Sequence, residues 1–149
     1  MIKFFPSARV RKDTGLDFDL LGNICSEIFI KGFKKNITFW CKIHKSRHKG
    51  TSTVEKLDEK CLYLINLDIH PDRRYVIGTI LHELRHAFQL GIFKYDVVAR
   101  FSSYRAYYNS REEKDARKQE KLTSEIIKIY DNYQKAQEKF KRFNLKELG

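Results

Sequence analysis

The stretch "KCLYLINLDIHPDRRYVIGTILHELRHAFQLG", residues 60–91, carries two different periodicities on either side of a break. Before the break, Leu62, Leu64 and Asn66 share one side of an extended chain, and Tyr63, Ile65 and Leu67 share the other. That pattern predicts a strand over residues 60–69, with apolar residues asking for cover on both faces. His70-Pro71-Asp72 ends it, since proline suits a helix start and Asp72 can cap one. Over residues 72–90, Val76, Ile77, Ile80, Leu81, Leu84, Ala87 and Phe88 form a single apolar stripe at helical spacing, and Gly91 is a natural stop.

The side of this helix away from the stripe is unusual. His82, Glu83 and His86 stand in the order H-E-x-x-H, with Tyr75, Thr79 and Gln89 nearby instead of the usual Lys and Glu. Residues four apart stack on one helix face, so both imidazoles can reach one ion with zinc–nitrogen bonds of about 2 Å. Glu83 flanks that ion without having to bind it, which is where a base for an activated water belongs. A merely polar helix face could carry the same residues. However, a face so poor in solvated charges predicts more protein lying over it, and buried histidines need partners.

Working outward, "NITFWCKIH" (36–44) alternates and is rich in aromatic and β-branched residues, predicting a second strand. "KSRHKGTST" reads as the turn after it. Residues 17–33 predict a first helix through Leu20, Leu21, Ile24, Ile28 and Phe33, after an irregular or extended start. Ser110 with Glu113 matches a capping box. A long helix or helix pair should follow, with Ala116, Leu122, Ile126, Ile129, Tyr133, Ala136, Phe140 and Phe143 along it. The sum is an α+β fold in one domain over residues 1–149: a short mixed or antiparallel sheet, a preceding helix, the HExxH helix, and a helical C-terminal extension from about 112 to 149.

Composition bounds the function. A chain of 149 residues with 42% hydrophobic residues, 11 Phe and 8 Tyr can bury a core, which excludes a disordered chain. The charge of +11 attracts polyanions or acidic partners. Much of it lies in residues 31–49, where Lys31, Lys34, Lys35, Lys42, Lys45, Arg47 and Lys49 occur with no acid. The simplest reading there is a solvated basic loop, and a nucleic-acid contact is the alternative. Cys25, Cys41 and Cys61, odd in number and widely spaced, suggest no disulfide framework and so a reducing compartment. No stretch has the length of a membrane span or a signal h-region, so the expectation is a cytoplasmic protein with no membrane partner, in the host cytoplasm if phage-encoded. The oligomeric state is not legible.

Two histidines need a third protein ligand, leaving one position for water. The candidates are His70, Glu112, Glu113, Asp115 and Glu120. Glu113 and Ala116 lie one turn apart, so an inward Ala116 brings Glu113 inward as well. At this point the chain resembles a known group. "HELRHAFQ", followed 27 residues after His86 by E-K-D-A-R, is similar to small gluzincin-type metallopeptidases of the zincin class. The likeness is to the ImmA/IrrE type and short phage metallopeptidases, and more distantly to SprT-like proteins. The resemblance covers about residues 62–116.

The resemblance implies a minimal zincin-like fold with Zn2+ as cofactor. It makes His82, His86 and Glu113 the ligands and Glu83 the catalytic base. Asp115 stands where many relatives have Glu and is a rival ligand. The four-cysteine ribbon of SprT-like proteins is absent. The implied activity is hydrolysis of peptide bonds in a protein or peptide substrate. An oxyanion donor is needed, and Tyr107 is preferred over Tyr104 and Tyr108. Arg85 is expected in a structural ion pair.

Three other readings stand beside this one. Cys41, His44 and His48, with Cys61 as a fourth ligand, have tolerable spacing for a small structural zinc site, although a strand cysteine is more often simply buried. A basic nucleic-acid-associated binding protein could use residues 31–49 and keep the HExxH helix as scaffold, or a SprT-like protease could act on DNA-bound proteins. The amphipathic tail could serve docking, although its stripe is expected to pack on its own domain.

Overall fold

The computed structural model describes residues 1–30, 37–58, 60–92 and 109–148, except the side chains of residues 119, 120 and 144–148. The elements are β1 (Ile2–Pro6), α1 (Ala8–Thr14), α2 (Phe18–Cys25) with a π-helical turn (Ser26–Ile30), β2 (Phe39–Lys45), β3 (Thr53–Lys56), β4 (Leu62–Leu67), α3 (Arg73–Gly91), α4 (Arg111–Glu120) and α5 (Thr123–Leu148). The α+β class read from the sequence is the one observed. The four strands form a mixed sheet in the order β1-β2-β4-β3, with β1, β2 and β4 parallel and β3 antiparallel at the edge.

One face of the sheet is the core. Ile2, Phe4, Phe39, Cys41, Ile43, Tyr63, Ile65 and Leu67 all point into it and are buried, and the stripe on α3 packs against them. Phe39 stacks on Tyr63 at 5.2 Å between centroids and meets Phe88 edge-on at 5.0 Å. Burying a side chain such as Phe88 contributes about 2–3 kcal/mol, so these rings fix how α3 lies on the sheet. Two glycines let backbone approach closely. A Cβ on Gly91 would collide with the Tyr63 hydroxyl, and one on Gly22 would sit 3.0 Å from the Ile2 carbonyl oxygen.

Helix starts follow the sequence signals. Asp72 accepts from the Arg74 amide, and Ser110 accepts from the Glu113 amide. The start of the chain is more regular than expected. β1 pairs with β2, and α1 begins at the Ser7 cap and ends at Gly15, whose φ of 63° is left-handed. The helix expected over 17–33 begins on schedule with an Asp17 cap but passes into the π turn at Ser26. There the Ser26 hydroxyl takes the Ile2 amide and donates to the Gly22 carbonyl. Residues 31–36 lie outside the described residues.

Two expectations are corrected. The outward residues of β4, Leu62, Leu64 and Asn66, are only half-buried, so the strand is not covered on both faces. The stripe on α5 packs on the domain only in its first half. Ile126 and Tyr130 are buried, and the Tyr130 hydroxyl accepts from the Asp17 amide, whereas Tyr133, Phe140 and Phe143 are exposed. No helix of the described residues is long and apolar enough to cross a membrane.

Candidate metal centre

The site forms where α4 crosses the polar side of α3. His82 and His86 come from adjacent turns of α3, and their Nε2 atoms lie 3.1 Å apart. Glu113, on the first turn of α4, brings Oε1 to 2.8 Å from His86 Nε2 and Oε2 to 3.1 Å from His82 Nε2. These three are the group among the described residues whose ligand atoms converge as a metal site requires. Their side chains are nearly buried, with His82 the most open at 15% exposed. Ala116, one turn beyond Glu113, is fully buried, as the shared-face argument requires.

A second layer fixes the tautomer of His86. Gln89, fully buried, donates from Nε2 to the Glu112 carbonyl (2.9 Å) and to Asp115 Oδ2 (2.8 Å). Both partners are acceptors, so the orientation of the amide is decided and its oxygen faces the ring. His86 Nδ1 therefore carries the proton and donates to Gln89 Oε1 at 2.7 Å. In the neutral ring Nε2 then presents a lone pair, aimed at a carboxylate oxygen 2.8 Å away and at a second imidazole nitrogen. Lone pairs facing one another at these distances repel unless a cation lies among them, and the cation can be a proton or a metal ion.

The donor set fits the metal. Tetrahedral zinc with bonds of about 2.0–2.1 Å separates its donors by roughly 3.3 Å, so this group needs to spread by only a few tenths of an ångström. Without an ion, burial disfavours charge on His86. The Glu113 hydrogen bond, the charge of Glu83 and the Gln89 hydrogen bond outweigh it, and its pKa lies above the ordinary histidine value. Glu83 is 6% exposed and close enough for its charge to act on His86.

Asp115 is held differently. Arg85 donates to it from Nε (2.8 Å) and from a terminal nitrogen (3.0 Å). Burial raises the Asp115 pKa, but the Arg85 and Gln89 hydrogen bonds overcome this and hold the carboxyl below its usual range. This is the ion pair expected of Arg85, and it engages both oxygens of the rival ligand. His70 turns its Nδ1 to the Asp72 amide and its ring to Tyr75. Glu112 meets Gln89 through its backbone carbonyl. The side chain of Glu120 and all of Tyr104, Tyr107 and Tyr108 lie outside the described residues.

The cysteine–histidine constellation does not assemble. Cys41 points into the core, His44 points out from the other face of the same strand, and His48 is exposed in the following turn. Sequence reasoning did not give Gln89 a role. Its position three residues after His86 was visible, but its partners on α4 come from distant sequence.

A cleft of about 330 Å³ lies along the N-terminal half of α3. Tyr75, Gly78 and Thr79 line it from the helix, with Asp72, Arg74 and Thr123 completing it. Thr79 and Tyr75 sit one and two turns before His82 on the same helix face. Comparison of the chain with protein-family models, with curated proteins and with solved structures gives no match in any of the three.

Proposed function

We propose that the protein is a zinc-dependent peptidase acting on protein or peptide substrates. The observation that carries this reading is the tautomer-fixed His86 Nε2 facing His82 and Glu113 on one buried point, with Glu83 beside it. His82, His86 and Glu113 would hold the ion. Two imidazoles and one carboxylate suit zinc, and they leave a coordination position open. Zinc bound there would supply a Lewis acid and a water of lowered pKa.

The remaining work falls to the chain. Glu83, buried and adjacent to the ligands, accepts the proton of the attacking water and returns it to the leaving amine. Gln89 and Asp115 keep the His86 ring in the productive orientation. The cleft beside Tyr75 and Thr79 offers room for substrate. β3, an antiparallel sheet edge in contact with α3, offers backbone groups to an extended peptide. The resemblance carried by "HELRHAFQ" and E-K-D-A supports the same assignment.

The test pairs metal content with hydrolysis. Protein purified without added zinc should carry about one ion per chain and cut an unfolded protein substrate. Glu83→Gln should keep the ion and lose at least about a hundredfold in rate. Undiminished hydrolysis by that variant, or a zinc-loaded parent that cuts nothing, would reject the peptidase reading.

A further inference from the structure

The sheet face opposite the core carries chemistry that the metal centre does not use. Alternation sends Lys3 and Phe5 of β1 and Trp40, Lys42 and His44 of β2 to that face, and all are exposed. Phe5 and Trp40 are large aromatics left 40% and 43% exposed. The register sets Lys3 opposite Trp40 and Phe5 opposite Lys42. Cation and aromatic ring therefore alternate both along each strand and across the pair, like squares on a board. Trp40 and Phe5 meet edge-to-face across the diagonal at 6.3 Å, and the Lys3 ammonium lies 5.3 Å from the Phe5 centroid.

The charge on this face is lopsided. Beyond Lys42 the row continues to Leu64 and then to Glu55 on β3, the acid among the outward strand residues, at the sheet edge opposite Phe5. Arg47 and Lys49, in the turn that follows β2, are exposed as well. The whole chain carries +11, so the long-range field has the same sign as the local one. A neutral apolar partner would leave Lys3 and Lys42 desolvated without counter-charge, which costs more than the two rings return. The occupant that suits both features is a polyanion that also brings flat apolar faces at short intervals.

We propose that the open face of the sheet binds single-stranded nucleic acid, with bases stacking on Trp40 and Phe5 and phosphates held by Lys3 and Lys42. Successive outward residues on a strand are about 6.8 Å apart and neighbouring strands about 4.8 Å apart, so rings and ammonium groups recur on the scale of a single nucleotide. Stacking on aromatic side chains takes any base, so the surface tracks a strand without selecting a sequence. A duplex hides its base faces and gains only the phosphate contacts. This assignment is independent of the metal centre, which lies beyond the opposite face of the sheet.

Trp40 is the only tryptophan in the chain, so its emission reports on this face alone. Titrating the full-length protein with an oligothymidylate of about twelve nucleotides should quench that emission saturably, with affinity falling steeply as salt rises. Lys3→Glu with Lys42→Glu should weaken binding at least tenfold or so. Phe5→Ala should weaken it about tenfold. Trp40→Ala, followed by the anisotropy of a labelled oligonucleotide, should do the same. His86→Ala should bind the oligonucleotide as the parent does, separating this face from the metal site.

Absence of quenching would overturn the proposal. So would affinity that survives loss of Lys3 and Lys42, which would move binding to other basic residues. A duplex that competes equally would remove the stacking role. Quenching by vesicles of anionic lipid but not by the oligonucleotide would make the face a membrane contact instead.

Discussion

Two regions of this chain offer the residue types of a zinc site, and only one of them assembles. On α3, His82 and His86 are four residues apart, and the helix stacks them with their Nε2 atoms 3.1 Å apart. On β2, Cys41 and His44 are three apart, and the pleat sends them to opposite faces. Burial then separates Cys41 further from the exposed histidine. Cys41 is fully buried in the core, where its thiol is pushed up to about 12, while His44 lies on the exposed face. Both places offer ligand residue types, and backbone periodicity decides between them.

The comparison breaks most sharply on metal content. His86→Ala should take the protein from about one zinc per chain to almost none, whereas Cys41→Ser and His44→Ala should leave the stoichiometry unchanged. Elemental analysis of the purified variants reads this directly. A loss of metal from the β2 variants would mean that the wrong region had been chosen. The same contrast has a stability counterpart. Zinc at a hundredfold excess over Kd should stabilise the parent by about 2.7 kcal/mol, or roughly 5–10 °C in Tm for a chain of this size. The His86→Ala protein should show no such shift in a thermal melt.

Gln89 sharpens the contrast at the next level down. It holds the His86 proton on Nδ1 while its own amide is anchored on α4. The β2 histidine His44 has no such partner among the described residues and lies on an exposed strand face. Gln89→Ala should leave zinc bound but weaken it by about ten- to a hundredfold, measured by competition with a chelator of known affinity. An unchanged affinity would mean that ring orientation is set elsewhere and that the tautomer argument fails.

Which parts of this were legible follows the range of the interactions involved. The α3 stripe, the H-E-x-x-H face and the pairing of Glu113 with Ala116 are local periodicities, and each is where the sequence places it. α1 and β3 were missed because each is short and nearly stripeless, and β1, read only as an irregular or extended start, has just Ile2 and Phe4 to show its alternation. α1 contributes Val10 as its single buried residue, and β3 has Val54 as its one apolar position. Signals were present at α1, since Ser7 caps it and Gly15 ends it, but seven residues do not fill a window in which helical period can be seen. Apolar Leu62 and Leu64 suggested a covered face, whereas they lie on the open one beside Trp40 and Lys42. The half-exposed tail of α5 was misjudged for the same reason. Its stripe continues past Tyr130, but Tyr133, Phe140 and Phe143 along it are exposed. Gln89 was illegible because its function depends on α4, more than twenty residues away, arriving with Glu112 and Asp115 correctly placed.

The finest distinction concerns two carboxylates on one helix. Glu113 and Asp115 are equivalent in charge and two residues apart, and either could be the third ligand on sequence grounds. In the structure they face different partners. Glu113 reaches both histidines, while Asp115 is held by Arg85 and Gln89. Asp115→Asn keeps the shape and can still accept from Gln89, so it should retain one zinc and weaken its binding only a few-fold. The Arg85 pair is partly exposed, and losing its charge should cost about 1 kcal/mol or less by chemical denaturation. Glu113→Gln also keeps shape, yet it removes the charge that faces two lone pairs, and it should lose the metal. If the two variants exchanged behaviour, Asp115 would be the ligand and α4 would have to rotate by about two residues, or roughly 200°, on binding. That rotation would pull Ala116 out of the core and Gln89 off its anchor. The small predicted effect at Asp115 is thus a test of whether α4 already sits where the ion needs it.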